Sequence, residues 1–157
     1  MMMIRITLGD LLAVAINDKY YYALVLDRIQ LFGGNWTFVF HRTSDQLLAA
    51  EEILSGPQSG FHAFVDFIWA KREGRITRLA KKINVAPYDH VKFLKNTHTD
   101  TGKATTWFIS DRQFREVKRT SQLSEDEAKA PLEERIDDTI MAERVDRMWT
   151  PETDERI

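Results

Sequence analysis

Asp89 and the downstream triplet Glu116-Val117-Lys118 have residue types and an order that suit metal-assisted phosphodiester chemistry. Two carboxylates on neighbouring elements hold a hard cation such as Mg²⁺, and a lysine steadies the attacking water or the phosphate. The pattern is short. In a chain of 157 residues that is 29% charged, an exposed strand with alternating charges produces the same triplet without a metal. A magnesium-dependent nuclease is therefore held as the second alternative. The four histidines, His41, His62, His90 and His98, include no pair four apart on a helix, so no metal site is expected. Gly33-Gly34 lacks the spacing of a phosphate-binding loop and reads as a turn. No Gly-x-Ser-x-Gly elbow occurs, and the absence of cysteine excludes a thiol nucleophile and a thiolate zinc site. The expectation is a protein that is not an enzyme and takes no cofactor.

A second set of residues suits electrostatic binding. Lys71, Arg72, Arg75, Arg78, Lys81 and Lys82 form a basic run that could follow a phosphate backbone, with Phe67 and Trp69 near enough to stack on bases. Lysine and arginine also guard exposed strand edges against aggregation. That reading is taken, because the whole chain carries a net charge of −2. A small-barrel nucleic-acid-binding module is the first alternative. The charge is unevenly placed. Residues 1–120 hold 17 basic and 12 acidic residues, net +5, whereas residues 121–157 hold 5 and 12, net −7. An acid-rich tail on a basic body is either a solvated helix face or a surface for a partner.

The elements that must position these residues are mostly strands. Leu11–Ile16 and Tyr20–Leu26 are apolar runs separated by Asn17-Asp18-Lys19, a hairpin pattern. After a turn at Gly33-Gly34-Asn35, Trp36, Phe38 and Phe40 alternate with Thr37, Val39 and His41, which places the aromatics on one face. Thr43 and Gln46 are spaced as a capping box for a helix carrying Leu47, Ala50 and Leu54 on one face, stopped by Gly56-Pro57. Phe61–Trp69 fits strand and helix equally well, and its β-branched and aromatic content favours strand. Short strands are expected at Arg75–Leu79, around Val91 and Phe93, at Thr105–Ile109 and within Phe114–Val117. Ala86-Pro87-Tyr88 reads as extended and Thr99–Lys103 as a turn.

Ser124 and Glu127 make a second capping box, and Pro131 is expected to open a further helix. Its apolar stripe holds Leu132, Ile136, Ile140, Met141, Val145, Met148 and Trp149. The predicted fold class is α+β: a compact antiparallel sheet or small SH3-like partly open barrel over 1–120, a helix inserted near 44–54, an acidic helical segment at 121–150 and a frayed tail at 151–157. The start, Met1–Arg5, lacks the apolar core of a signal peptide. No apolar run approaches the roughly 20 residues that span a bilayer. A cytoplasmic protein with no membrane partner is expected.

The segment order resembles the bacterial polymorphic-toxin immunity protein family twenty-six over about residues 6–150. The carrying residues are Gly9-Asp10-Leu11-Leu12-Ala13-Val14, then Tyr20-Tyr21-Tyr22-Ala23-Leu24-Val25-Leu26, Asp66-Phe67, Gly74, Pro87-Tyr88, and Gly102 ahead of Trp107-Phe108-Ile109-Ser110-Asp111. Where such proteins often show Gly-x-Trp, Gly74 is followed here by Arg75-Ile76. The resemblance implies a non-catalytic protein that neutralises a cognate toxin domain, often a nuclease, in competition between bacteria. An acidic face would suit a nuclease groove built to attract phosphates. On that expectation the contact residues are Glu125, Asp126, Glu127, Glu133, Glu134, Asp137 and Asp138.

Overall fold

Asn17 and Asp18 both take positive φ, 49° and 66°, as the tightest hairpin turns require. They join β1 (Leu11–Ile16) to β2 (Lys19–Leu31) in antiparallel register, Leu12 opposite Ala23 and Val14 opposite Tyr21. In the computed structural model, which describes residues 4–31 and 33–157, β3 (Gly34–Ser44) and β4 (Gly60–Asp66) extend this meander. β5 (Ile76–Ala80) returns to the free side of β1. The mixed six-stranded sheet has the order β5-β1-β2-β3-β4-β9, in which β9 (Arg135–Asp137) lies parallel to β4 and every other pair is antiparallel. A second, three-stranded sheet, β6 (Phe93–Asn96), β7 (Trp107–Asp111) and β8 (Glu116–Thr120), is antiparallel throughout. The fold is α+β, dominated by sheet, and it is not a closed barrel. Met1–Met3, part of the segment weighed as a leader, lie outside the described residues.

Alternation sorts the large sheet into two buried faces. Leu12, Val14, Tyr21, Ala23, Val25, Val39, Phe61, Ala63 and Val65 point one way, where Met141, Ala142, Val145 and Trp149 cover them. Leu11, Ala13, Tyr22, Leu24, Trp36, Phe38, Phe40 and Phe64 point the other way, onto Ile53 and Leu94. The aromatics expected on one face of β3 do share it.

Several elements depart from the sequence expectations. The Thr43–Gln46 capping box does not form. β2 is long enough to offer Tyr20 and Tyr21 as partners for Ser44 and Thr43, so pairing wins over local capping. The helix α1 is only Ala50–Ser55, with Ile53 buried and Leu47 exposed. Gly56 ends it in an extended rather than left-handed conformation. The ambiguous stretch divides: strand to Asp66, then helix α2 (Ile68–Arg72). Ala86–Tyr88 is one turn of 3₁₀-helix, with Pro87 near its start, rather than extended.

The expected C-terminal helix is broken into three. Ser124 and Glu127 do cap a helix, α3 (Glu125–Ala128), and it is short. Pro131 opens no helix. Its carbonyl accepts the Lys95 N–H, and Glu133 N–H returns to the Lys95 carbonyl, so this segment runs beside β6. The longer helix, α4 (Asp138–Asp146), starts where Asp137 caps Ile140 N–H at 2.8 Å. Of the predicted stripe, Leu132, Ile136, Met141, Val145 and Trp149 are buried, while Ile140 and Met148 are exposed. The tail, expected to fray, makes contacts with the body. Pro151–Thr153 form a 3₁₀ turn, Asp154 is buried and Arg156 chelates it. Among the described residues no helix is long and apolar enough to cross a membrane.

Candidate functional site

The three residues of the nuclease-like pattern each have a different mate. Asp89 receives both Arg112 Nη atoms, at 2.8 and 3.3 Å, and Trp36 Nε1 at 3.3 Å. Burial would raise its pKa, but these donors and the Arg112 charge take it below the ordinary value. Glu116 is bound by Arg119 Nε at 2.9 Å, and Lys118 Nζ by Glu127 at 2.7 Å. No group of three or more His, Cys, Asp or Glu suited to a metal ion occurs among the described residues.

The basic run is likewise divided. Arg75 lies between Asp138 at 2.9 Å and Glu73 at 3.1 Å. Arg78 reaches Asp10. Arg72 stacks over Trp69, which is 58% exposed. Phe67 is buried in the core, so it offers no stacking face to a base. Lys81 and Lys82 are exposed beyond β5.

The seven acidic residues do not share one face. Asp138 is buried against Arg75, and Glu134 holds Arg144 at 2.6 Å with Arg156 at 3.8 Å. Glu133 is half-buried, and burial pushes its pKa up despite a hydrogen bond from Ser110. Asp137 caps α4, and Glu127 caps α3 while binding Lys118, which draws its pKa down. Asp138 and Glu127 thus meet cations of the basic body, whereas Glu134 pairs with cations of the C-terminal segment itself. Glu125 and Asp126 remain exposed; Glu125 pairs with Lys129 at 3.6 Å.

Asp126 stands beside a concave apolar surface. In β6, Phe93 and Lys95 share a face with Ile109 of β7, because Lys95 pairs with Ile109 and Phe93 with Asp111. α3 crosses that face, held by the Lys118–Glu127 pair from β8. Between α3 and the sheet lies a groove of about 410 Å³ with Ile109 and Ala130 in its lining, flanked by Phe93 and Val117, with Lys118, Asp126 and Glu127 also lining it. Phe93 and Val117 are 49% and 53% exposed. Large apolar side chains exposed together, with charges at the margin, mark interaction surfaces more often than isolated ones do. The sequence placed Asp126 and Glu127 among the contacts but missed Phe93 and Val117. Their surroundings depend on α3 lying across a strand pair that pattern alone does not reveal.

Lys95, also missed, makes the junction rigid. It is wholly buried, and its Nζ donates to the carbonyls of Ala128 at 2.5 Å and Pro151 at 2.7 Å. The Trp107 ring lies 5.5 Å away. Burial lowers its pKa to about 8, against the pull of Asp154 and Glu152. A perturbed lysine often marks a reactive site, but both bonds here go to backbone at the ends of elements. It fastens α3 and the tail to the small sheet.

A second concavity, of about 500 Å³, is lined by Phe38, His62, Pro87, Tyr88 and His90 together with residues of the α1 end. His62 stacks on Trp36 at 5.5 Å and bonds the Tyr88 carbonyl through Nε2 at 2.6 Å. Burial pulls its pKa below the ordinary histidine value, opposed by that carbonyl and by Asp89. The ring is thus neutral and structural at pH 7.

Comparison with family models, with curated proteins and with solved structures finds no match for this chain.

Proposed function

We propose that this chain is a non-catalytic binding protein whose partner is a bacterial toxin domain, neutralised by stoichiometric occlusion of its active or substrate-binding surface. The observation that carries this reading is the apolar groove beside α3, with Phe93 and Val117 half-exposed and the exposed carboxylate of Asp126 in its lining. An apolar centre rimmed by carboxylates fits a partner that presents an apolar anchor within a basic surroundings. A toxin that acts on nucleic acid has such a basic surface. The pairing of Asp89, Glu116 and Lys118 with separate mates favours a binding role over hydrolysis at that set.

The test is a pull-down and toxicity assay with the protein encoded beside this one. The expected result is a one-to-one complex and rescue of growth. Covering the exposed half of Phe93 would bury roughly 100 Å², about 2 kcal/mol. Phe93→Ala should therefore weaken binding by about thirtyfold while leaving the fold intact. Failure to bind or neutralise any neighbouring toxin overturns the proposal.

A further inference from the structure

The Gly9-Asp10 pair and the end of the basic run build a second site, at the far end of β5, that the binding reading does not use. Gly9 has φ +84°, and a Cβ there would stand 3.1 Å from Ile83 N, Ile83 O and Lys82 Cα. Its carbonyl accepts Ile83 N–H at 2.9 Å, so the Lys81-Lys82 turn is pressed onto the backbone at Gly9. Lys82 itself is in the left-handed region, φ 55°, which holds the turn in one shape. Asp10 is buried. One of its oxygens, Oδ2, accepts Thr7 N–H at 2.8 Å and lies 3.1 Å from Arg78 Nε. Arg78 Nη2 donates to the Arg5 carbonyl, and Arg78 Nε, buried beside Asp10, makes no well-aligned hydrogen bond among the described residues. Arg5, Arg78, Lys81 and Lys82 thus line one cleft of about 230 Å³ with Thr7 and a single carboxylate, Asp10. Four cations against one anion leave a local charge of +3.

We propose that this cleft binds a phosphate dianion, as inorganic phosphate or a phosphomonoester. Converging cations with a preset backbone lower the cost of gathering positive charge, and a guanidinium edge with flanking ammonium groups matches the oxygens of a phosphate. The cleft is a single site and not a track. Arg75 is taken by Asp138 and Glu73, and Lys71 and Arg72 sit on α2. A nucleic-acid strand would find only one such contact here, which favours a small dianion over a polymer backbone.

Calorimetric titration with inorganic phosphate in chloride buffer tests the assignment. One saturable site is expected. Lys81→Ala/Lys82→Ala, which removes two exposed side chains, should weaken it by about tenfold or more, whereas Lys71→Ala/Arg72→Ala should leave it unchanged. Absence of saturable uptake, or equal uptake by the Lys81/Lys82 variant, overturns the proposal. A short single-stranded oligonucleotide tests the other phosphate source. If it binds more tightly than phosphate and the Lys81/Lys82 variant loses that binding, the small dianion is the wrong ligand.

Discussion

Lys95→Met should abolish a rise in stability that the unaltered protein shows between about pH 8 and pH 10. In the folded chain the Lys95 pKa is brought from 10.5 down to about 8 by burial. Between those values the unfolded chain binds a proton that the native chain does not, so stability increases with pH in that window. Each unit of pH contributes at most about 1.4 kcal/mol. With gradual onset near pH 8, the gain by pH 10 is about 2 kcal/mol, or about 1 M in urea midpoint for a small domain. Above pH 10 the sign reverses through Tyr21. Burial and its bond to Asp146 raise that phenol from 10.0 to about 12, so the native state keeps a proton the unfolded state loses. The assay is urea unfolding at closely spaced pH values. The methionine variant should be less stable overall, since the Ala128 and Pro151 carbonyls lose their donor, at about 1–3 kcal/mol. The decisive quantity is the difference between the two profiles, in which all other titrating groups cancel. Parallel profiles from pH 8 to pH 10 would refute the argument.

Other expected outcomes follow from single contacts. Arg75→Ala leaves the buried Asp138 carboxylate without its cation and should cost about 3 kcal/mol; Arg75→Ala/Asp138→Asn should recover part of it in a urea double-mutant cycle. Gly9→Ala forces a side chain into a left-handed conformation against the Ile83 backbone and should lower stability by about 1–3 kcal/mol, read from the same unfolding curves. Glu116→Ala removes an exposed pair with Arg119 and should change stability by less than about 1 kcal/mol. Magnesium should not shift its melting temperature, or that of the unaltered protein; a metal-dependent shift lost in the variant would restore the nuclease reading.

The meander was legible because local pattern and final environment agree there. Trp36, Phe38 and Phe40 alternate with Thr37 and Val39, and both sets are buried because both faces of the sheet are covered. Asn17-Asp18 named its own turn. The C-terminal third was not legible for a physical reason. β9 is three residues long and finds its partner in β4, about seventy positions upstream, so no local period announces it. The apolar spacing of Leu132, Ile136 and Met141 suits a helix, but Leu132 and Ile136 reach the core from extended backbone. For the candidate contacts, sequence supplied the charges but not their mates. Arg75, Lys118 and Arg144 had no visible claim on Asp138, Glu127 and Glu134 until the fold brought them together. Gly9-Asp10 stood out only through a resemblance; its role in seating Lys82 and Arg78 comes from contacts roughly seventy residues apart.

The parallel pairing of β9 with β4 also bears on how the protein is made. As the chain leaves the ribosome, β4 emerges long before residues 135–137 exist, and its outer edge must wait bare beside an aromatic-rich meander. Nascent chains stalled or cleaved before that point present an open, sticky rim. Synthesis of residues 135–137 is therefore the step that covers this edge, replacing the long rim of β4 with a strand only three residues long.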